Sequence, residues 1–164
     1  MPIIVNADNV SVTGMIVSPP VGSVNVCCVR LDGHYSKLDH LFLVGTDIGT
    51  GYGVHVRGGS HHILCALEIE FCGGHGVFVE DAMLAAGPPE DLSIRDCSIY
   101  DNGGDGVHVT AQAAPAVSTE DTSIERCTIH SNVGWGVQIG ANAEGTKIHT
   151  SNTVMDNALG AILD

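Results

Sequence analysis

Glu70, Asp101 and Asp105 share a stretch of chain with His75, Phe78, Tyr100 and Trp135. Carboxylates, an imidazole and aromatic rings together suit sugar chemistry. Ring faces stack on the apolar faces of sugars, carboxylates accept hydroxyl hydrogen bonds, and two carboxyl groups about 5 to 9.5 Å apart can hydrolyse a glycosidic bond. If the chain is an enzyme, Glu70, Asp101 and Asp105 are its candidate catalytic acids. Trp135, Phe78, His75 and Tyr100 are the candidate binding residues. The same residue types fit solvated faces and subunit contacts, and that plainer reading is preferred.

The elements that position these residues follow from composition and spacing. The chain has 164 residues, 6 Lys plus Arg against 19 Asp plus Glu, and a formal net charge of −13. So few and scattered cations argue against nucleic acid and against anionic membrane as partners. No apolar run of about 18 residues occurs, and Met1-Pro2-Ile3-Ile4 lacks the basic segment of a secretory signal, so a soluble, unprocessed chain is expected. Glycine accounts for 21 residues and aromatic residues for 4%. Glycine interleaved with Val and Ile fits short strands and tight turns.

The chain repeats. Gly53-Val54-His55-Val56, Gly76-Val77-Phe78-Val79, Gly106-Val107-His108-Val109, Gly136-Val137-Gln138-Ile139 and Gly160-Ala161-Ile162-Leu163 share a pattern, their glycines spaced by 23, 30, 30 and 24 residues. A second apolar segment precedes each unit, as in Ser93-Ile94-Arg95-Asp96-Cys97-Ser98-Ile99 and Ser123-Ile124-Glu125-Arg126-Cys127-Thr128-Ile129. Ile69, Ile99 and Ile129 stand seven residues before Gly76, Gly106 and Gly136. Such a unit is too thin to bury its own apolar face and must stack on its neighbours. A period of 23 to 24 residues rich in β-branched side chains predicts a single all-β domain over 1–164, a parallel β-helix of about six coils. The first coil spans about 3–31 and the regular coils about 32–164, with loop insertions at 81–91 and 110–121.

Asn102-Gly103-Gly104-Asp105-Gly106-Val107-His108-Val109 and Asn132-Val133-Gly134-Trp135-Gly136-Val137-Gln138-Ile139 resemble the repeats of right-handed, single-stranded parallel β-helix proteins. Val5-Asn6-Ala7-Asp8-Asn9-Val10-Ser11-Val12 resembles their first coil. That superfamily includes pectate lyases, polysaccharide-degrading enzymes and bacteriophage tailspikes. The resemblance implies the fold and, for Asn102, Asn132 and Asn157, an asparagine ladder. Lyases of the family also use a basic residue and often calcium carboxylates. Arg57, Arg95 and Arg126 are at hand, but no family catalytic motif matches residue by residue.

Stacking turns sequence positions into columns. Met15, Leu41, Leu67, Cys97, Cys127 and Ser151 are expected to face inward, as are Val12, Leu38, Leu64, Ile94, Ile124 and Ile148. Asn102, Asn132 and Asn157 are expected to adopt a left-handed backbone, with Cys72 ending their ladder. The six cysteines show no Cys-x-x-Cys spacing and are read as free thiols compatible with a reducing cytoplasm. Arg30, His55, Phe78, His108, Gln138 and Ile162 are expected to form an outward column. Phe78 holds His55 and His108 about two coil rises apart, near 10 Å, too far for one zinc. No metal site and no cofactor are expected.

Both insertions are apolar for exposed loops, so Met83, Leu84, Pro115 and Val117 are candidate interface residues, as are Ile162 and Leu163 near the C-terminus. With the fold resemblance, these features suggest a non-enzymatic homotrimeric component of a bacteriophage virion, either a capsid decoration (cement) protein or tailspike-like. It would contact other virion proteins and be assembled in the host cytoplasm. The alternatives are a hydrolase or lyase acting on surface polysaccharide, and a binding-only glycan module.

Overall fold

The computed structural model describes residues 3–20, 22–46, 48–80, 87–110, 121–140, 143 and 145–163. Among these residues there are nineteen short strands and no helix. The first three coils contain β1 (Ile3–Val5), β2 (Ser11–Thr13), β3 (Ile16–Val17), then β4 (Val29–Leu31), β5 (Lys37–Asp39), β6 (Phe42–Val44), then β7 (Val54–Val56), β8 (Ile63–Cys65), β9 (Glu68–Glu70). The next three contain β10 (Val77–Val79), β11 (Ser93–Arg95), β12 (Ser98–Tyr100), then β13 (Val107–Val109), β14 (Ser123–Glu125), β15 (Thr128–His130), then β16 (Trp135–Ile139), β17 (Lys147–Ile148), β18 (Thr153–Met155). A final strand, β19 (Gly160–Leu163), opens a seventh.

Strands three apart in the chain pair in parallel. They build a seven-stranded sheet from β1 to β19 and two six-stranded sheets, one from β2 to β17 and one from β3 to β18. The protein is therefore a parallel β-solenoid, close in length to the six coils that the repeat predicted. The three sheets enclose one apolar core. Val29, Val54, Val77, Val107 and Val137 stack in it, as do Leu38, Leu64, Ile94 and Ile124, and Leu43, Ile69, Ile99 and Ile129. Burying each such side chain contributes about 1.5 to 3 kcal/mol.

The chain passes between sheets through single residues with positive φ. His40, Ala66, Asp96 and Arg126 make one set of corners, and Phe71, Asp101, Ser131 and Asp156 another. The left-handed residue thus precedes the ladder asparagine, where the sequence placed it on the asparagine itself. This leaves Asn102 and Asn132 free to turn their amides into the core, where both are buried. Asn102 Nδ2 donates to Asn132 Oδ1 at 2.9 Å, and Asn132 Nδ2 to Asn157 Oδ1 at 2.8 Å. Cys72 ends the ladder as expected, its N–H donating to Asn102 Oδ1 at 3.1 Å.

The last coil and the first coil each depart from the expected columns. Thr128 pairs with Thr153 and Ile129 with Val154, so Asn152, not Ser151, lies beneath Cys127 and accepts its N–H at 2.9 Å. The same shift pairs Ile162 with Val137 and puts Leu163 opposite Gln138. The asparagine ladder and the apolar column set this register, overriding the match between Gly136 and Gly160. Met15 is exposed, between β2 and β3, the outermost strands of their sheets. Ile162 and Leu163 are exposed on the outermost strand of the seven-stranded sheet. Met83, Leu84, Pro115 and Val117 lie outside the described residues, as does most of both loop insertions. All six cysteines are free, and Cys97 and Cys127 are buried in successive coils.

Candidate functional site

The glycine of each Gly-Val-x-Val unit builds the surface where the candidate residues meet. A Cβ added at Gly53 would lie 2.3 Å from Ile69 Cγ2, and one at Gly106 2.3 Å from Ile129 Cγ2 and 2.9 Å from Asn132 Nδ2. The glycine therefore faces the core, and so does the valine that follows it. Two successive inward positions break the two-residue alternation of a strand. As a result the residue before the glycine and the residue two after it both face outward. Tyr52 meets His55, His75 meets Phe78 and Asp105 meets His108 in this way.

Stacking three such coils produces a continuous face of rings. Tyr52 lies 4.7 Å from Phe78 and stacks on His75 at 5.6 Å between centroids. Phe78 lies 5.3 Å from His55 and 5.4 Å from His108, and His75 lies 4.6 Å from His108. Two carboxylates fasten the imidazoles. Glu80 Oε1 meets His55 Nε2 at 2.8 Å, and Asp105 Oδ2 meets His108 Nδ1 at 2.8 Å and His75 Nδ1 at 3.2 Å. Arg30, beside His55 in the preceding coil, and Arg57, directly after β7, both pair with Asp32.

Asp105 is 4% exposed. Burial opposes its ionisation, but hydrogen bonds from His108 and from the Trp135 N–H outweigh that cost and hold the carboxyl below the usual carboxylate range. The Trp135 N–H reaches Oδ1 at 2.7 Å. Glu80 is lowered by its bond to His55 against partial desolvation. Burial, with a smaller contribution from the charge of Glu80, raises the Tyr52 hydroxyl.

The candidate residues divide into separate groups. His75, Phe78 and Asp105 join the ring face. Trp135 does not stack with these rings: an added Cβ at Gly160 would lie 2.5 Å from Trp135 Cζ3, so the indole covers the last strand. Glu70 and Tyr100 lie on the sheet that runs from β3 to β18, where Tyr100 is flanked by Glu70 and His130. Tyr100 stacks on His130 at 5.2 Å, and its hydroxyl donates to Glu68 Oε1 at 2.5 Å, which raises its pKa. Asp101 is an exposed corner residue with φ 53°. Among the described residues no hydrogen bond, ion pair or ring contact joins Glu70 to Asp105.

Tyr52, His55, His108 and Glu80 complete the face and were not singled out as site residues. Their signal was present in the sequence: Tyr52, His75, Asp105 and Trp135 all immediately precede a repeat glycine. His75, Asp105 and His108 also bring two ring nitrogens and a carboxylate oxygen within 4.8 Å of one another. The expectation of no metal site rested on His55 and His108, which Phe78 does separate, and on His61, His62 and His75 standing on other turns. Asp105 nevertheless brings His75 and His108 together.

No protein-family model and no curated protein matches the chain. Among solved structures the chain is similar to the A-module of the mannuronan C-5 epimerase AlgE4 from Azotobacter vinelandii. The identity is 14% and the TM-score 0.43, covering 97% of this chain and 54% of that structure. The chain thus spans about half the length of the structure it matches.

Proposed function

We propose that this protein is a glycan-binding β-helix whose recognition surface is the ring face of Tyr52, His55, His75, Phe78 and His108. The observation that carries the reading is the close packing of these five partly exposed rings, with centroid separations of 4.6 to 5.6 Å, on a rigid sheet. Aromatic faces offer stacking area to the apolar face of a sugar at little entropic cost. The imidazoles and the Tyr52 hydroxyl offer donors and acceptors to its hydroxyl groups. Binding fits better than hydrolysis, because Asp105 Oδ1 is taken by the Trp135 N–H and Oδ2 by His108. Titrating the protein with bacterial surface polysaccharides should give saturable binding without new reducing ends or unsaturated products. Phe78→Ala should weaken that binding about tenfold, the equivalent of about 1.4 kcal/mol. Unchanged affinity in both Phe78→Ala and Tyr52→Ala would overturn the reading, as would cleavage products.

A second reading, a homotrimeric virion component, draws on exposed apolar side chains at both ends of the solenoid. Ile4, Met15 and Ile16 protrude at one end and Leu159, Ile162 and Leu163 at the other. Surfaces of this kind are usually covered by a partner. Light scattering on the full chain should give three times the chain mass if the trimer forms, and a concentration-independent monomer counts against it.

A further inference from the structure

Beyond glycan binding, we propose that His75, Asp105 and His108 form a binding site for a divalent transition-metal ion of the zinc class. The Asp105 N–H donates to His75 Nδ1 at 2.9 Å. That bond leaves the ring proton of His75 on Nε2 and an acceptor lone pair on Nδ1. Asp105 Oδ2 lies 3.2 Å from this nitrogen, so two acceptors face each other with no proton to share. A cation between them converts that repulsion into coordination.

The spacing suits such an ion. Ligand atoms about 2.0 to 2.2 Å from a tetrahedral zinc stand about 3.3 to 3.6 Å apart. The two nitrogen to Oδ2 separations are 2.8 and 3.2 Å, so each nitrogen moves less than an ångström from Oδ2 to receive the ion, and all three ligand atoms already lie within 4.8 Å of one another. A metal takes over the His75 lone pair that the Asp105 N–H now shares. His108, which presents Nδ1–H to Oδ2, moves that proton to Nε2 and remains neutral. Two imidazoles and one carboxylate are the ligand types that favour zinc and its neighbours over calcium or magnesium.

The surroundings have the features of a supported site. Asp105 Oδ1 is held by the Trp135 N–H at 2.7 Å, which orients the carboxylate and aims Oδ2 at the imidazoles. Phe78 packs against both imidazoles, at 5.2 and 5.4 Å. Glycines make the close approach possible: a Cβ at Gly134 would lie 2.2 Å from Asp105 Oδ1, and one at Gly104 2.7 Å from His75 Nδ1. The side chains of His75 and His108 are 22% and 18% exposed. The ion thus reaches the site from solvent and keeps a position open for water or for a hydroxyl of a bound ligand.

The test is titration of the full chain with Co2+ and with Zn2+, in a buffer free of chelators and with the thiols reduced. One equivalent should bind, with cobalt ligand-field bands and no thiolate charge-transfer band. His75→Gln and His108→Gln should each weaken binding at least tenfold without lowering the melting temperature of the metal-free protein by more than a few degrees. His61→Gln, which alters an exposed pair with Asp91, should leave affinity unchanged. Failure to bind at 100 µM metal, wild-type affinity retained in both Gln variants, or a thiolate band that assigns the metal to cysteine would each overturn the proposal. The readout uses metal alone, so it is independent of whether any glycan binds.

Discussion

Asn132 and Asp105 are both buried and hydrogen-bonded, in equivalent turns of successive coils, yet they follow opposite rules. Asn132 belongs to a repeating column: its Oδ1 accepts from Asn102, and its Nδ2 donates to Asn157 Oδ1 and to the carbonyls of Ile99 and His130. Each amide supplies what the next one needs, so the motif propagates and belongs to the fold. Asp105 stands in a column that reads Tyr52, His75, Asp105, Trp135, with no residue type repeated. Its Oδ2 faces two imidazoles on the outer face, and its Oδ1 takes the Trp135 N–H. A repeated polar residue in a solenoid serves stacking, and an unrepeated one that gathers imidazoles marks the site.

Exchanging the two residue types tests the distinction. Asn132→Asp sets a buried carboxylate against three acceptors that had received Nδ2 protons, and is expected to cost about 3 to 5 kcal/mol. Urea denaturation measures the loss. The introduced carboxyl has its pKa raised in the folded state, so the loss should grow as pH rises above the ordinary carboxylate range. Gly106→Ala comes next, at about 2 to 3 kcal/mol, since the new methyl strikes both Ile129 and the ladder amide. Asp105→Asn keeps an acceptor for the Trp135 N–H and offers an N–H to the His75 lone pair. It is expected to cost only about 1 kcal/mol, and a loss as large as that of Asn132→Asp would end the comparison.

The smallest effect concerns Glu80. Its folded pKa lies below its ordinary value of 4.5 because of the bond to His55. Its contribution is therefore complete above about pH 4.5 and disappears as pH falls through the lowered folded value. Glu80→Gln should remove that part of the acid sensitivity, by about 1 kcal/mol or less for a partly exposed pair. Melting temperatures from pH 6 down to pH 3 read the difference.

Much of the fold was legible because stacking repeats one local rule. The positions of Leu38, Leu64, Ile94 and Ile124 follow from counting back from the glycines, and they pair as counted. Counting failed in the last coil. There, 25 residues separate Asn132 from Asn157 but 24 separate Gly136 from Gly160, and only the hydrogen bonds of the ladder decide which match prevails. The candidate site was half legible. His75, Phe78 and Asp105 were identified, but Asp101 was a corner, Trp135 covered the last strand, and Glu70 and Tyr100 belonged to another sheet.

By itself the sequence determined the solenoid, most of its inward columns and its asparagine ladder, because each depends on residues one period apart. Tertiary structure alone decided which outward residues touch. The inward-facing glycine cancels the strand alternation, so residues three apart in the chain come together on one face. Asp105 then turns two histidines from different coils toward one oxygen. A linear repeat records who stacks on whom, whereas the meeting of neighbouring columns depends on how the backbone bends at the glycine.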